Sequence, residues 1–213
     1  MKRKAIGPSK IKVKVDKISQ RKKMDGRERH LTLGRLLEKD SQLLSADEVV
    51  NAIFKGYSIL PKIDDNHKTT QNLFAIDLVD TTNSQVHIDI VQAYIEIGIP
   101  PFASFYYIND DSTSVFRLLF ATNTLITNEE VINKLNAILR AIAAENGLSC
   151  ICPSIVDGCP LKSFLFYGDI KIDTQTALNI FHPSYKKYII NENSSKIRYP
   201  KDWFRTKDTT KEE

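Results

Sequence analysis

Long apolar runs are missing from this chain. Its apolar stretches, such as Leu73 to Ile76 and Ile97 to Ala103, fall far short of the roughly 18 residues a membrane-crossing helix needs. No apolar segment of about 7–15 residues follows the basic N-terminus, so no secretory signal is expected. Cysteine is scarce: three residues among 213 are an odd number for a disulfide framework, and the expected compartment is a reducing cytoplasm. Glycine and proline number only eight each, which excludes collagen-like and mucin-like chains. There is no internal repeat, no low-complexity tract, no Walker-type glycine loop, and no serine, cysteine or histidine set in the context of a nucleophilic triad. The four histidines, His30, His67, His87 and His182, are scattered.

What is present is ordinary globular composition, 42% apolar and 26% charged, enough for one soluble domain or two small ones. The net charge of +4 hides an asymmetry. Residues 1–30 hold 12 Lys or Arg against 3 Asp or Glu, a net of +9, which leaves −5 for the other 183 residues. A basic stretch on an acidic body fits a polyanion partner or a solvated tail. Lys10, Lys12, Lys14, Arg21, Lys22 and Lys23 are its nucleic-acid-binding candidates. The alternation from Lys10 to Val15 is polar and isolated, so residues 1–30 read as a flexible arm.

Regular structure becomes legible at Ser45-Ala46-Asp47-Glu48, a capping box. Val49, Val50, Ile53 and Phe54 follow at helical spacing up to Gly56, predicting a helix over 46–55. Tyr57 to Pro61 reads as extended, and Asp64 to Gln71 as a polar loop. Leu73 to Asp80 has the length of a central strand covered on both faces. Val86, Ile90, Ala93, Tyr94 and Ile97 form one helical stripe ending at Gly98. Strands are predicted over 103–108 and 116–121, joined by a turn at Asn109-Asp110-Asp111-Ser112. Thr127-Asn128-Glu129-Glu130 reads as a second capping box, opening a helix that ends at Gly147. A last strand is predicted over 163–167, and the tail beyond Trp203 as loose. The fold class is α/β (α+β), a mixed sheet with helices on one side.

Asp77 and Asp80 stand at the carboxyl end of an otherwise apolar strand. Carboxylates are costly to desolvate unless paired or metal-bound, so these acids point to a divalent-ion site. The competing reading of Asp80 is a cap for the next helix. Asp157 supplies a third acid, or a turn residue before Gly158. Arg117, inside an apolar strand, either meets a phosphate or pairs with a neighbouring acid. Cys150, Cys152 and Cys159 lack a fourth ligand at zinc spacing, so zinc is not expected.

Read together, these segments resemble the primase-polymerase domain of phage and plasmid replication proteins, in the archaeo-eukaryotic primase superfamily. Three stretches carry the likeness: Phe54-Lys55-Gly56-Tyr57-Ser58-Ile59-Leu60-Pro61, Phe74-Ala75-Ile76-Asp77-Leu78-Val79-Asp80, and Phe116-Arg117-Leu118-Leu119-Phe120 with the later Phe166-Tyr167-Gly168. The resemblance implies a two-lobed primase-polymerase-like domain over 31–190, between the arm and a polar tail at 191–213. It also implies Mg²⁺ or Mn²⁺ held by Asp77, Asp80 and Asp157, with Asn109 and Arg117 near nucleotide phosphate. Expected partners are DNA, single-stranded or primer-template, together with nucleotides and a helicase or other replication protein.

The chain departs from that pattern at working positions. Val79 stands where the family has its second acid, Ile108 and Asn109 where it has a small residue and a histidine, and Phe164 where an arginine is common. Single electrostatic groups of this kind are each worth about 2–4 kcal/mol of transition-state stabilisation. The expectation is therefore a mobile-element DNA replication protein in which nucleotidyl transfer is either weakened or lost. The alternative is a primase-fold DNA-binding or initiation factor, or an adaptor to another replication protein.

Overall fold

The computed structural model describes residues 10–18, 25–61, 63–65, 68–79, 84–108, 114–148, 150–151 and 171–172. The predicted strand over 163–167, the turn at 109–112 and the tail lie outside them.

The alternation at the start of the chain is a buried strand, β1 (Ile11–Asp16). Ile11, Val13 and Val15 are almost fully buried, in one cluster with Val49, Ile53, Leu73, Ala75, Phe105 and Leu119. Those partners lie far along the chain, so the local sequence shows only the polar half of the pattern. The stretch expected to be a flexible arm is thus partly core. Its next element, α1 (Gly26–Glu38), opens on a capping box that the sequence reading missed. Asp25 Oδ1 accepts from the Glu28 amide at 2.8 Å, and Glu28 Oε2 from the Asp25 amide at 3.0 Å.

Short β2 (Gln42–Leu44) precedes α2 (Ala46–Phe54), whose Ser45 and Glu48 form the predicted box. Gly56, at φ 74°, ends the turn after it in the left-handed region that glycine enters without penalty. With β3 (Ser58–Leu60) these strands make a three-stranded sheet of order β2-β1-β3.

Of the residues expected as a polar loop, Asp64 and Asp65 lie in β4 (Ile63–Asp65) and Lys68 to Gln71 in the first part of β5 (Lys68–Val79). The β-branched Thr69 and Thr70 pair with Asp64 and Ile63, and ladder hydrogen bonds satisfy backbone that a loop would leave to water. After β5 come α3 (Ser84–Ile97), β6 (Ala103–Ile108), β7 (Ser114–Ile126), α4 (Glu129–Glu145), β8 (Cys150–Ile151) and β9 (Lys171–Ile172). Asn128, one residue beyond the predicted Thr127, caps α4, its Oδ1 accepting from the Glu130 amide at 2.9 Å.

The second sheet runs β4-β5-β7-β6-β9, with β8 also on β5. From β5 to β8 the element order is β-α-β-β-α-β, that of the split βαβ motif. Every pairing among the described residues is antiparallel. A mixed sheet was expected, but α3 carries the chain from β5 to β6 across the intervening β7, which runs opposite to both. The fold is accordingly α+β.

One face of this sheet packs on α3 and α4 through Phe74, Ile76, Phe116, Leu118, Tyr94 and Leu139. Tyr94 meets Phe120 edge-on, centroids 5.0 Å apart. The other face packs on β1, α2 and β3. Helices therefore lie on both sides of this sheet, with α2 opposite α3 and α4.

Candidate functional site

Along β5, Phe74, Ile76 and Leu78 point to the α3/α4 side, so the two-residue period of a strand sends Leu73, Ala75 and Asp77 to the other. Asp77 lies opposite Arg117 on β7 and Ile151 on β8, and Arg117 lies opposite Phe105 on β6. Arg117 Nε reaches Asp77 Oδ1 at 2.6 Å, and its Nη2 reaches Oδ2 at 2.6 Å. Both side chains are 2% exposed. Two positions along the same face, Ala75, Val115 and Leu119 are buried apolar residues. The fork-on-carboxylate geometry is the strong, bidentate form of this pairing. Of the two sequence-stated fates of Arg117, phosphate or a neighbouring acid, the structure places it on the acid.

The other predicted site residues do not join them among the described residues. Asp80, Asp157, Asn109, Arg21, Lys22 and Lys23 lie outside that set, as do Cys152 and Cys159. Lys10 is exposed and Lys12 half-buried. Lys14 is buried, and its Nζ donates to the Leu37 carbonyl at 2.8 Å. It ties the last turn of α1 to β1, a structural use in place of the expected phosphate contact.

Divalent ions require carboxylate or carbonyl oxygens directed at one point. Both Asp77 oxygens instead face a guanidinium, and among the described residues no three His, Cys, Asp or Glu are grouped to hold a metal ion. Asp77 is thus engaged by Arg117, while Asp80 and Asp157, the other acids that the resemblance assigns to Mg²⁺ or Mn²⁺, lie outside the described residues.

Sequence reasoning missed a second charge cluster. Asp16, fully buried at the end of β1, accepts from Arg35 Nε at 2.8 Å and from Lys39 Nζ at 3.0 Å. Burial raises its pKa, but hydrogen bonds from Arg35, Lys39 and the Ile18 amide outweigh this, and the carboxyl sits below its ordinary value. Asn72 was missed too. Its Oδ1 accepts from the Lys12 amide at 2.9 Å and its Nδ2 donates to the Lys10 carbonyl at 2.8 Å. One side-chain amide thus bonds β1 as a neighbouring strand would, beside the register shift between Gln71 and Leu73. The available signals were parity signals: Asp16 shares the polar face of Lys12 and Lys14, and Asn72 interrupts a strand.

Compared with known proteins, the chain matches no family model, no curated protein and no solved structure. Among the described residues no helix is long and apolar enough to cross a membrane.

Proposed function

We propose that this chain is a DNA replication protein of a mobile genetic element whose primase-like body binds DNA without joining nucleotides. The observation that carries the second half is the neutralisation of Asp77 by Arg117. In two-metal phosphoryl transfer, acids hold the ions that activate the attacking hydroxyl and offset charge at the phosphate. An acid closed by an internal cation in an apolar layer offers its charge to neither. The basic N-terminal charge and the resemblance around Phe74 to Asp80 support the DNA-binding half. The α+β architecture accords with both halves, although fold alone does not fix activity.

The test is a pair of assays on the full chain. Labelled dNTPs or NTPs with Mn²⁺ on single-stranded and primed templates are expected to give no incorporation. Binding of the same labelled DNA is expected to be unchanged by EDTA. Metal-dependent incorporation, lost in Asp77→Asn while that variant still folds, would establish the polymerase instead.

A further inference from the structure

Helix α1 covers the outer face of the three-stranded sheet, held there by Lys14 on the Leu37 carbonyl and by Arg35 and Lys39 on Asp16. Its buried residues are Thr32, Leu33 and Leu36. At about 100° per residue, the side turned away from them centres on Gly34, with Leu31 and Leu37 three residues before and after it. A helix with one buried stripe is expected to be polar on its outward side. Here two leucines stand in water instead, Leu31 52% exposed and Leu37 39%.

Gly34 itself calls for a reason. A helix interior favours alanine over glycine, because glycine loses the most backbone freedom on folding. Gly34 lies within α1, and a Cβ built on it would meet nothing within 4 Å among the described residues. Neither its own backbone conformation nor its neighbours in the fold require glycine there. At the centre of an exposed apolar stripe, the missing side chain lets the backbone of a second molecule come close.

Charge selects what comes close. On the same outward side, Arg27 and His30 stand toward the start of α1 and Glu38 at its end, all exposed. A cation in the first turn and an anion in the last both oppose the dipole of their own helix. An antiparallel copy of α1 corrects both. With a two-fold axis through Gly34, residues equally far before and after it come opposite one another: Leu31 meets Leu37, His30 meets Glu38, and Arg27 reaches that same Glu38 from the next turn. The acids at the start of the helix, Asp25 and Glu28, are turned toward the helix end by their capping box. This face is complementary to itself, as a two-fold interface must be.

We propose that the chain forms a homodimer through α1, two copies packed antiparallel about Gly34. The proposal does not depend on the DNA-binding reading above. An interface built on one helix from each copy falls among the small ones, below about 1,200 Å², where association is weak and reversible.

Sedimentation velocity of the full chain, from about 1 to about 100 μM, measures the association. A reversible monomer–dimer equilibrium is expected in that range. Gly34→Glu fills the open space at the axis and sets two like charges against each other, and is expected to weaken the dimer at least about tenfold while the monomer keeps its thermal midpoint. Leu31→Ser/Leu37→Ser, on residues already exposed, is expected to weaken it too, so the result does not hang on one variant. Glu38→Arg is expected to weaken the dimer and Arg27→Glu/Glu38→Arg to restore most of it, a pattern that a parallel pair would not give. Ile88→Ser, at a 61% exposed position on α3, is expected to change nothing. A monomer at every concentration overturns the pairing and leaves the stripe to a partner other than a second copy. A dimer indifferent to Gly34→Glu and to the double serine variant, or broken by Ile88→Ser, lies elsewhere on the surface and overturns it as well. A dimer that Gly34→Glu breaks but the charge exchange does not restore overturns the antiparallel arrangement.

Discussion

Asp77 and Arg117 face each other across the two central strands, joined by two bonds of 2.6 Å and each 2% exposed. A buried pair of this kind is costly to desolvate and costly to break. Its net worth is the difference between those terms.

Breaking it from one side strands a charge. Asp77→Asn or Arg117→Met is expected to cost about 3–5 kcal/mol, read as a lower urea midpoint. The double variant Asp77→Leu/Arg117→Met removes both charges and is expected to recover most of that loss. A double variant no more stable than the worse single would mean the pair contributes more than its own neutralisation.

Asn72 gives a second prediction. Asn72→Ala removes both bonds to β1 and leaves the Lys12 amide and Lys10 carbonyl without that partner, at roughly 1–3 kcal/mol. Asn72→Asp keeps the acceptor for Lys12 but turns the donor facing the Lys10 carbonyl into a second acceptor, and is expected to destabilise as well. Hydrogen exchange at the Lys12 amide is the local readout, and it should accelerate in Asn72→Ala, which removes its acceptor, more than in Asn72→Asp, which keeps it.

Acid dependence follows from Asp16. Its folded pKa is lowered, so its contribution is present above the ordinary value of 3.8 and is lost as pH falls through the lower, folded value. The stability gap between the unaltered chain and Asp16→Asn should hold steady from pH 7 to 5 and narrow below about 4. A gap constant down to pH 2 would show that Arg35 and Lys39 do not select the charged form.

Truncation separates a tail from a core strand. Deleting residues 1–16 removes Ile11, Val13 and Val15 from a cluster they share with β5, β6 and β7. Large-to-small changes of single buried aliphatic residues already cost about 1–5 kcal/mol each. The deletion is therefore expected to abolish cooperative unfolding, where loss of a flexible arm would leave the midpoint unchanged.

A smaller test concerns α2. Ser45 accepts from the Glu48 amide at 3.2 Å while Glu48 Oε2 accepts from the Ser45 amide at 2.6 Å. Ser45→Ala is expected to lower stability by about 1 kcal/mol, with Ser45→Asp restoring most of it in a thermal melt.

Several elements were readable because their signals are local. The Ser45 box, the stripes of α3 and α4, the left-handed stops at Gly56, Gly98 and Gly147, and the span of β6 depend on residues a few positions apart. The long apolar strands β5 and β7 were recognised for the same reason, though each extends beyond its apolar stretch. Other features have no local signal. β1 looks like a charged tail until distant residues, from Ala46 to Ala121, supply its apolar partners. The lone acid of β5 and the lone base of β7 were each visible, but strand register, a property of two distant segments, puts Arg117 on Asp77. The sequence by itself determined composition, the place of α2 and β6, the buried stripes of α3 and α4, the apolar centres of β5 and β7, and the presence of two opposite charges inside apolar runs. Only the tertiary structure decided that those charges neutralise one another and that the basic N-terminal segment is partly core, because burial and pairing depend on which distant segments meet.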